Sequence, residues 1–255
     1  MGGWRDVALV DVVGHVSFTL WLSGCNFKCP WCANYEIALG LRGFPMSVSE
    51  VVELLVSAKP YVDYLHVTGG EPLLQKKPLE KLLLRVRREL GLKLSVDTNG
   101  SLPEALRKLV PYLHHVAIDL KAPLENEKLL AKVIGVEERL AEEFADKISE
   151  SLAIAARSVP FLELRTTLVP NLISRNEVVE IARLVSGIAE RAAGRVIYVV
   201  QQFIPYEGVR GAYSRERATP ARYVEECAKE AANLLRSVEV YYRTLEEGIK
   251  RVSVD

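Results

Sequence analysis

The chain alternates short runs rich in β-branched residues with longer stretches in which apolar residues recur at helical spacing. Phe18–Ser23, Tyr64–Thr68, Lys93–Asp97, Val116–Leu120, Leu162–Leu168 and Val196–Phe203 read as strands. Segments at about 47–58, 78–90, 103–110, 127–157, 174–192 and 220–236 read as amphipathic helices. Two of these start with a capping box, Ser47-x-x-Glu50 and Ser174-x-x-Glu177, in which hydroxyl and carboxylate satisfy each other's open backbone donors. The stretch 127–157 is too long for one plain helix, so a break is expected near Gly135. A seventh short run, Glu239–Tyr242, follows the last helix.

Alternating strands and helices with near-continuous apolar strands predict an α/β fold with a parallel sheet covered by helices. Six βα units fall short of the eight that close a full barrel. The expected architecture is a partial (β/α)6 TIM-like barrel with outer helices, and a flat doubly wound sheet is the rival. One domain is expected over residues 1–255, with its core barrel at about 7–207 and a C-terminal helix and short strand in 208–255.

Composition narrows the partners. Lys+Arg and Asp+Glu are equal at 33 each, so no global field favours nucleic acid or an anionic membrane. The N-terminus lacks a signal-peptide pattern and the apolar runs are far shorter than a membrane span, which predicts a cytoplasmic location. In that reducing compartment, clustered cysteines are metal ligands more often than disulfides. Gln occurs only at 75, 201 and 202 among many Arg, Glu and Val, a composition that suits a thermophile.

The strands end in residues that core packing would not choose. The first runs into Gly24 and a cysteine loop, and the second ends in Thr68-Gly69-Gly70-Glu71-Pro72. The third ends in Asp97-Thr98-Asn99-Gly100 and the fourth in Asp119-Leu120-Lys121. Arg165-Thr166-Thr167 lies on the fifth, and Gln201-Gln202 on the sixth. In parallel sheets the carboxyl ends of the strands share one face, where ligands bind. Polar and glycine residues gathered there from six strands point to a single site.

Cys25, Cys29 and Cys32 fall within eight positions, and Cys227 is the one other cysteine. Gly24, Asn26 and Pro30 disfavour a regular helix, so the segment reads as a loop on which three thiolates converge. A zinc-binding interaction module would need a fourth ligand from His15, His66, His114, His115 or Cys227. An iron–sulfur cubane held by three cysteines instead leaves one iron open for another ligand. Cys227 sits among apolar residues at helical spacing and reads as a buried structural thiol.

Cys25-x3-Cys29-x2-Cys32, with Trp31 before the last cysteine, resembles the signature of the radical S-adenosylmethionine (SAM) superfamily. The resemblance covers roughly residues 7–207. It implies a 4Fe–4S cluster on these three cysteines and an oxidoreductase that cleaves SAM reductively to a 5′-deoxyadenosyl radical. It also implies that Trp31, Gly69, Gly70, Glu71, Asp97, Thr98, Asp119, Lys121 and Arg165 lie around the cofactors, with Glu71 toward the SAM amine. Asp97 and Asp119 would lie near the SAM carboxylate, where they are candidates to share a monovalent cation.

A narrower resemblance is to the glycyl-radical-enzyme activating enzymes. It rests on "VDVVGHVSFTLWLSGC", taken as one leading strand in which Asp11 precedes the first cysteine, and on "DTNG", "DLK" and "LRTTLVP". "LRTTLVP" and "QQFIP" are similar to the branch that activates anaerobic ribonucleotide reductase. The implied partners are a glycyl radical enzyme, whose loop Asp11 would help to receive, and a flavodoxin or ferredoxin as electron donor. Ala33-Asn34 stands where many activating enzymes have a histidine before the asparagine, and Asp11-Val12-Val13-Gly14 lacks their usual glycine and proline. Both departures bear on the substrate. The alternative is a radical SAM synthase acting on a small molecule such as a deazapurine precursor.

Overall fold

Each new strand is added at the same edge of the sheet, so spatial order equals chain order. The computed structural model describes residues 1–253. β1 (Gly3–Val12) and β2 (His15–Leu22) form an antiparallel hairpin. From β2 the sheet continues in parallel through β3 (Tyr64–Gly69), β4 (Lys93–Thr98), β5 (His115–Asp119), β6 (Phe161–Leu168), β7 (Arg195–Gln202) and β8 (Glu239–Thr244). β9 (Gly248–Arg251) adds one antiparallel strand. A doubly wound sheet requires a reversal of strand order, and there is none, so the flat rival is excluded. Crossovers of one hand that never reverse leave every long helix on the same face. The sheet curls away from them into a half-barrel.

The expected elements form close to their expected bounds. α1 (Tyr35–Ala38) is a single turn after the cysteine loop. It is followed by α2 (Val48–Ala58), α3 (Lys76–Leu90), α4 (Pro103–Leu109), α5 (Glu127–Ile134), α6 (Glu138–Ser158), α7 (Arg175–Ala189) and α8 (Ala221–Leu234). Both capping boxes form, at Ser47 with Glu50 and at Ser174 with Glu177. The break between α5 and α6 falls at Gly135, whose φ of 69° is the left-handed conformation that ends helices.

Three features depart from the expectation. The segment taken as one leading strand is two strands, turned at Val13-Gly14 with Gly14 at φ 80°. β1 escapes strand patterning because most of its residues are exposed on both faces and its register is interrupted twice. The short run at 239–242 extends to Thr244 and is a seventh parallel strand, so the parallel part exceeds six. The strands are also not apolar on both sides. Outward side chains such as Leu20, Leu65, Val67, Val96, Ile118 and Leu164 pack with the helices in the main core. Inward positions carry Ser17, Thr19, His66, Ser95, His115, Glu163 and Arg165, all buried. A half-barrel has no second helical layer to cover its concave face, so that face is free to be polar if its groups satisfy one another. An apolar plug of Val12, Val13, Tyr64, Phe161, Ile197 and Val199 forms a separate small core.

Among the described residues, no helix is long and apolar enough to cross a membrane. Leu55 on α2 is fully buried in the main core. Leu55→Ala is expected to destabilise the protein by about 2–5 kcal/mol through lost burial and a residual cavity. Urea unfolding should show a lower midpoint with an unchanged slope.

Candidate active site at the strand carboxyl ends

Residues 23–34, between β2 and α1, contain no helix or strand. This loop carries the three cysteines along one wall of a cavity of about 280 Å³. The opposite walls come from the ends of β3, β4, β5, β6 and β7. Cys25, Cys29, Cys32, Trp31, Gly69, Gly70, Asp97, Thr98, Asp119, Lys121 and Arg165 all line it. Thr68, Asn99, Thr167 and Gln201 join them from the same strand ends.

The thiols influence one another. Burial pushes Cys29 up to about 12; Lys121 pulls it down, and Cys32 and Cys25 add to the rise. Burial also raises Cys25 and Cys32, which Lys121 again opposes. Lys121 is therefore a cation whose charge acts on all three thiols. Its ammonium donates to Asp119 Oδ2 at 2.7 Å and lies 5.2 Å from the centre of the Trp31 ring. Burial opposes its charge, but Asp119 and Cys29 outweigh that and raise its pKa. Trp31 is held in turn by its indole N–H, which donates to the Val133 carbonyl at 3.0 Å.

Among the described residues, no fourth protein ligand joins the cysteines. His66 and His115 lie inside the half-barrel on either side of Ser95, His15 faces Asp63, and His114 Nδ1 accepts from the Leu94 N–H. Cys227 is buried in the main core on α8. None of these residues lines the cavity. Among the described residues, no three Cys, His, Asp or Glu side chains are grouped to hold a single metal ion. Three soft thiols on one cavity wall, not focused on one point, fit a cluster that offers each its own iron better than they fit zinc.

Glu71 lies elsewhere than expected. Its carboxylate is fully buried and accepts from Leu73 N–H at 3.0 Å, Thr98 Oγ1 at 2.8 Å and Asn99 N–H at 2.7 Å. Burial raises it to about 7 although these three donors favour the charged form. The side chain thus joins the end of β3 to the end of β4, and the bare backbones of Gly69 and Gly70 face the cavity in its place. Asp11 is also outside the cavity. Its carboxylate accepts from Thr19 Oγ1, and its carbonyl accepts from Arg165 Nη2 at 2.6 Å.

Asp97 and Asp119 each have a protein cation in contact. Arg165 Nη1 donates to Asp97 Oδ2 at 3.0 Å, and Lys121 holds Asp119. Burial, with Asp119 nearby, pushes Asp97 up to about 6 while Arg165 pulls it down. The positive charge that a monovalent cation was expected to bring between these carboxylates is already supplied by two side chains.

Beneath the cavity lies a polar network that the motifs do not reveal. Arg165 Nε donates to Glu163 Oε1 at 2.6 Å, and Arg243 Nη2, from β8, reaches the same oxygen at 3.3 Å. His115 Nε2 faces Glu163 Oε2 at 3.4 Å, and neither atom has another partner. Burial lowers both His66 and His115, while Glu163 pulls His115 back up. Burial penalises the Glu163 charge, but Arg165, His115 and Arg243 together hold its pKa well below the usual carboxylate range. The Glu163 carboxylate is an acceptor only, so the tautomer with its proton on His115 Nε2 suits this contact and leaves Nδ1 to accept from Ser95. Ser95 Oγ then accepts from His66 Nδ1. Apart from Arg165–Glu163 within β6, each link spans different strands, so sequence patterning could signal only that polar residues alternate with apolar ones on β4 and β6.

The sequence profile of the radical SAM superfamily matches residues 20–185. The chain belongs to the radical SAM superfamily. SAM and a 4Fe–4S cluster are accordingly its cofactors. A Methanocaldococcus jannaschii protein provisionally named as a glycyl-radical enzyme activating enzyme is 30% identical over 222 residues, 85% of this chain and 83% of the relative. A 7-carboxy-7-deazaguanine synthase of Hyperthermus butylicus is 40% identical over 95 residues, 37% of this chain and 39% of the relative. Among solved structures, Streptococcus suis SuiB bound to S-adenosylmethionine superposes with a TM-score of 0.61 at 16% identity, covering 88% of this chain. The chain spans about half the length of SuiB, at 48%. An archaeal TYW1 gives 0.53 at 14% identity, covering 92% of this chain and 76% of its own. At these identities the superpositions establish the half-barrel fold.

Removing Glu163 leaves two buried guanidiniums without their shared acceptor. Glu163→Ala is expected to cost about 3–5 kcal/mol. Chemical denaturation should show the loss, and Glu163→Gln, which keeps an acceptor oxygen, should lose less.

Proposed function

We propose that this radical SAM enzyme is a glycyl-radical-enzyme activase, which removes a hydrogen atom from a backbone glycine of a partner enzyme. The observation that carries this reading is the likeness to the M. jannaschii activating enzyme along 85% of the chain. The deazaguanine synthases match only 35–45% of it. The geometry is compatible. A cavity of about 280 Å³ is at the small end of ligand sites and has cofactors to hold, and β1 and β9 do not pair to close the barrel. A bulky substrate therefore meets the site at its open side.

In this reading Cys25, Cys29 and Cys32 hold the 4Fe–4S cluster, which leaves one iron for SAM and supplies the one-electron cleavage that starts hydrogen abstraction. Lys121 offsets the negative charge of three thiolates, and Trp31 walls the site behind it. Gly69 and Gly70 let the backbone approach SAM, while Asp97, Thr98 and Asp119 offer it acceptors. Arg165 fixes Asp97 and, through the Asp11 carbonyl, the position of β1. Glu71 acts indirectly by holding Thr98 and Asn99 in place. The partner is a glycyl radical enzyme, with anaerobic ribonucleotide reductase the first to try, and a flavodoxin or ferredoxin supplies the electron.

A second reading rests on the 40% identity to the H. butylicus synthase over 95 residues: a small-molecule substrate related to deazapurines. Anaerobic mixing of the reduced enzyme with SAM and a candidate partner separates the two. Activase function predicts a glycyl radical signal in electron paramagnetic resonance. SAM cleavage coupled only to conversion of a small molecule would sink it.

The ligand assignment has its own check in iron and sulfide content after anaerobic reconstitution. Cys29→Ala is expected to bind neither above background, and Cys227→Ala to match the parent. Loss of the cluster from the Cys227 variant, or a colourless parent with stoichiometric zinc, would refute the three-cysteine reading.

A further inference from the structure

Twelve residues with no secondary structure of their own must present three thiols in one arrangement. The loop does little to shape itself: one internal backbone hydrogen bond, Cys32 N–H to the Cys29 carbonyl at 3.2 Å, and a Phe27 N–H contact to Cys25 Sγ at 3.4 Å. Its neighbours do more. At three points a glycine from a different part of the fold lies so close to the loop's backbone that no side chain fits between.

Gly70, just past β3, lies against Gly24; a Cβ there would sit 2.1 Å from the Gly24 carbonyl oxygen. Gly135, between α5 and α6, lies against Lys28; a Cβ would sit 2.0 Å from the Lys28 oxygen. Gly208, in the loop after β7, lies against Ala33; a Cβ would sit 1.8 Å from the Ala33 oxygen. In each case the obstacle is a peptide oxygen, which cannot swing aside as a side chain can. The three contacted residues, Gly24, Lys28 and Ala33, are each the immediate chain neighbour of a cysteine: 25, 29 and 32. Bonds beside the contacts hold them. Glu71 N–H donates to the Gly24 carbonyl and Lys28 N–H to the Ile134 carbonyl, both at 2.8 Å. An Arg210–Glu36 ion pair ties the third loop to α1.

We propose that Gly70, Gly135 and Gly208 are positioning residues that clamp the cysteine loop, one beside each cysteine, in its ligating shape before the cluster binds. The proposal rests on the reading that these cysteines hold the cluster. A loop free to relax would lose ordering entropy on each loading and would release iron more easily. Gly135 and Gly208 are 107 and 175 residues along the chain from Lys28 and Ala33, the loop positions they contact.

The test compares anaerobically reconstituted parent, Gly208→Ala, Gly135→Asn and Gly187→Ala. Gly208 has no left-handed backbone to strain, so alanine there disturbs only the contact. Asparagine tolerates the φ of Gly135, so its cost also comes from the contact. Gly187 has nothing within 4 Å of its added Cβ and is the control. The first two variants are expected to lose iron to a chelator roughly 10–100-fold faster than the parent, as for groups that orient metal ligands. Their reduced-cluster paramagnetic signals should broaden, while the cluster-free chains still melt in one cooperative transition. Release at the rate of the parent and of Gly187→Ala would overturn the clamp, as would cluster-free variants that show no cooperative transition. A parent that takes up no iron would instead overturn the cluster assignment itself.

Discussion

The arrangement of the half-barrel interior depends on one buried carboxylate. Glu163 faces inward on β6, fully removed from solvent, and shares its oxygens among Arg165, Arg243 and His115. A carboxylate so placed is costly unless paired, and a guanidinium equally so. Here each resolves the other's desolvation. The Arg165 fork then reaches in three directions: Glu163 below, Asp97 on β4 and the Asp11 carbonyl on β1. One side chain thus ties three strands together under the cavity and leaves its upper edge at the site.

This solution follows from the topology. Strands added always at one edge, with crossovers of one hand, leave the concave face without a helical cover. A small apolar plug fills its lower part and the cavity occupies its top, so the level between them is polar. The chain from His66 through Ser95 to His115 ends on the same carboxylate. The floor of the site is therefore stiff, and the mobile chemistry is left to the bound cofactors.

The wall opposite is built differently. The cysteine loop has almost no internal bonding, and its form comes from close backbone approaches around it. Charge there is handled by Lys121, which acts on all three thiols while held by Asp119 and placed over the Trp31 ring. A floor of paired charges and a thiol-bearing loop shaped by its surroundings thus face each other across the cavity. Related chains differ in what they are named to act upon.

The local part of this structure was legible from sequence. Strand and helix periods, the capping boxes and the break at Gly135 depend on neighbours a few residues away. The cysteine spacing and the polar strand ends were readable for the same reason, and parallel winding brings those ends to one face. What tertiary structure alone decided depends on register between strands far apart in the chain. It put the Glu71 carboxylate under Thr98 and Asn99 instead of in the cavity, and it gave Asp11 a role through its carbonyl. It made β1 a strand although its exposed residues lack an alternating pattern. It also joined Glu163 to Arg243 and set Gly208 against Ala33, pairings for which neither residue carries a local signal. Propensity and periodicity act over a few residues, whereas a buried ion pair or a backbone contact exists only once the curl of the sheet has set the distance.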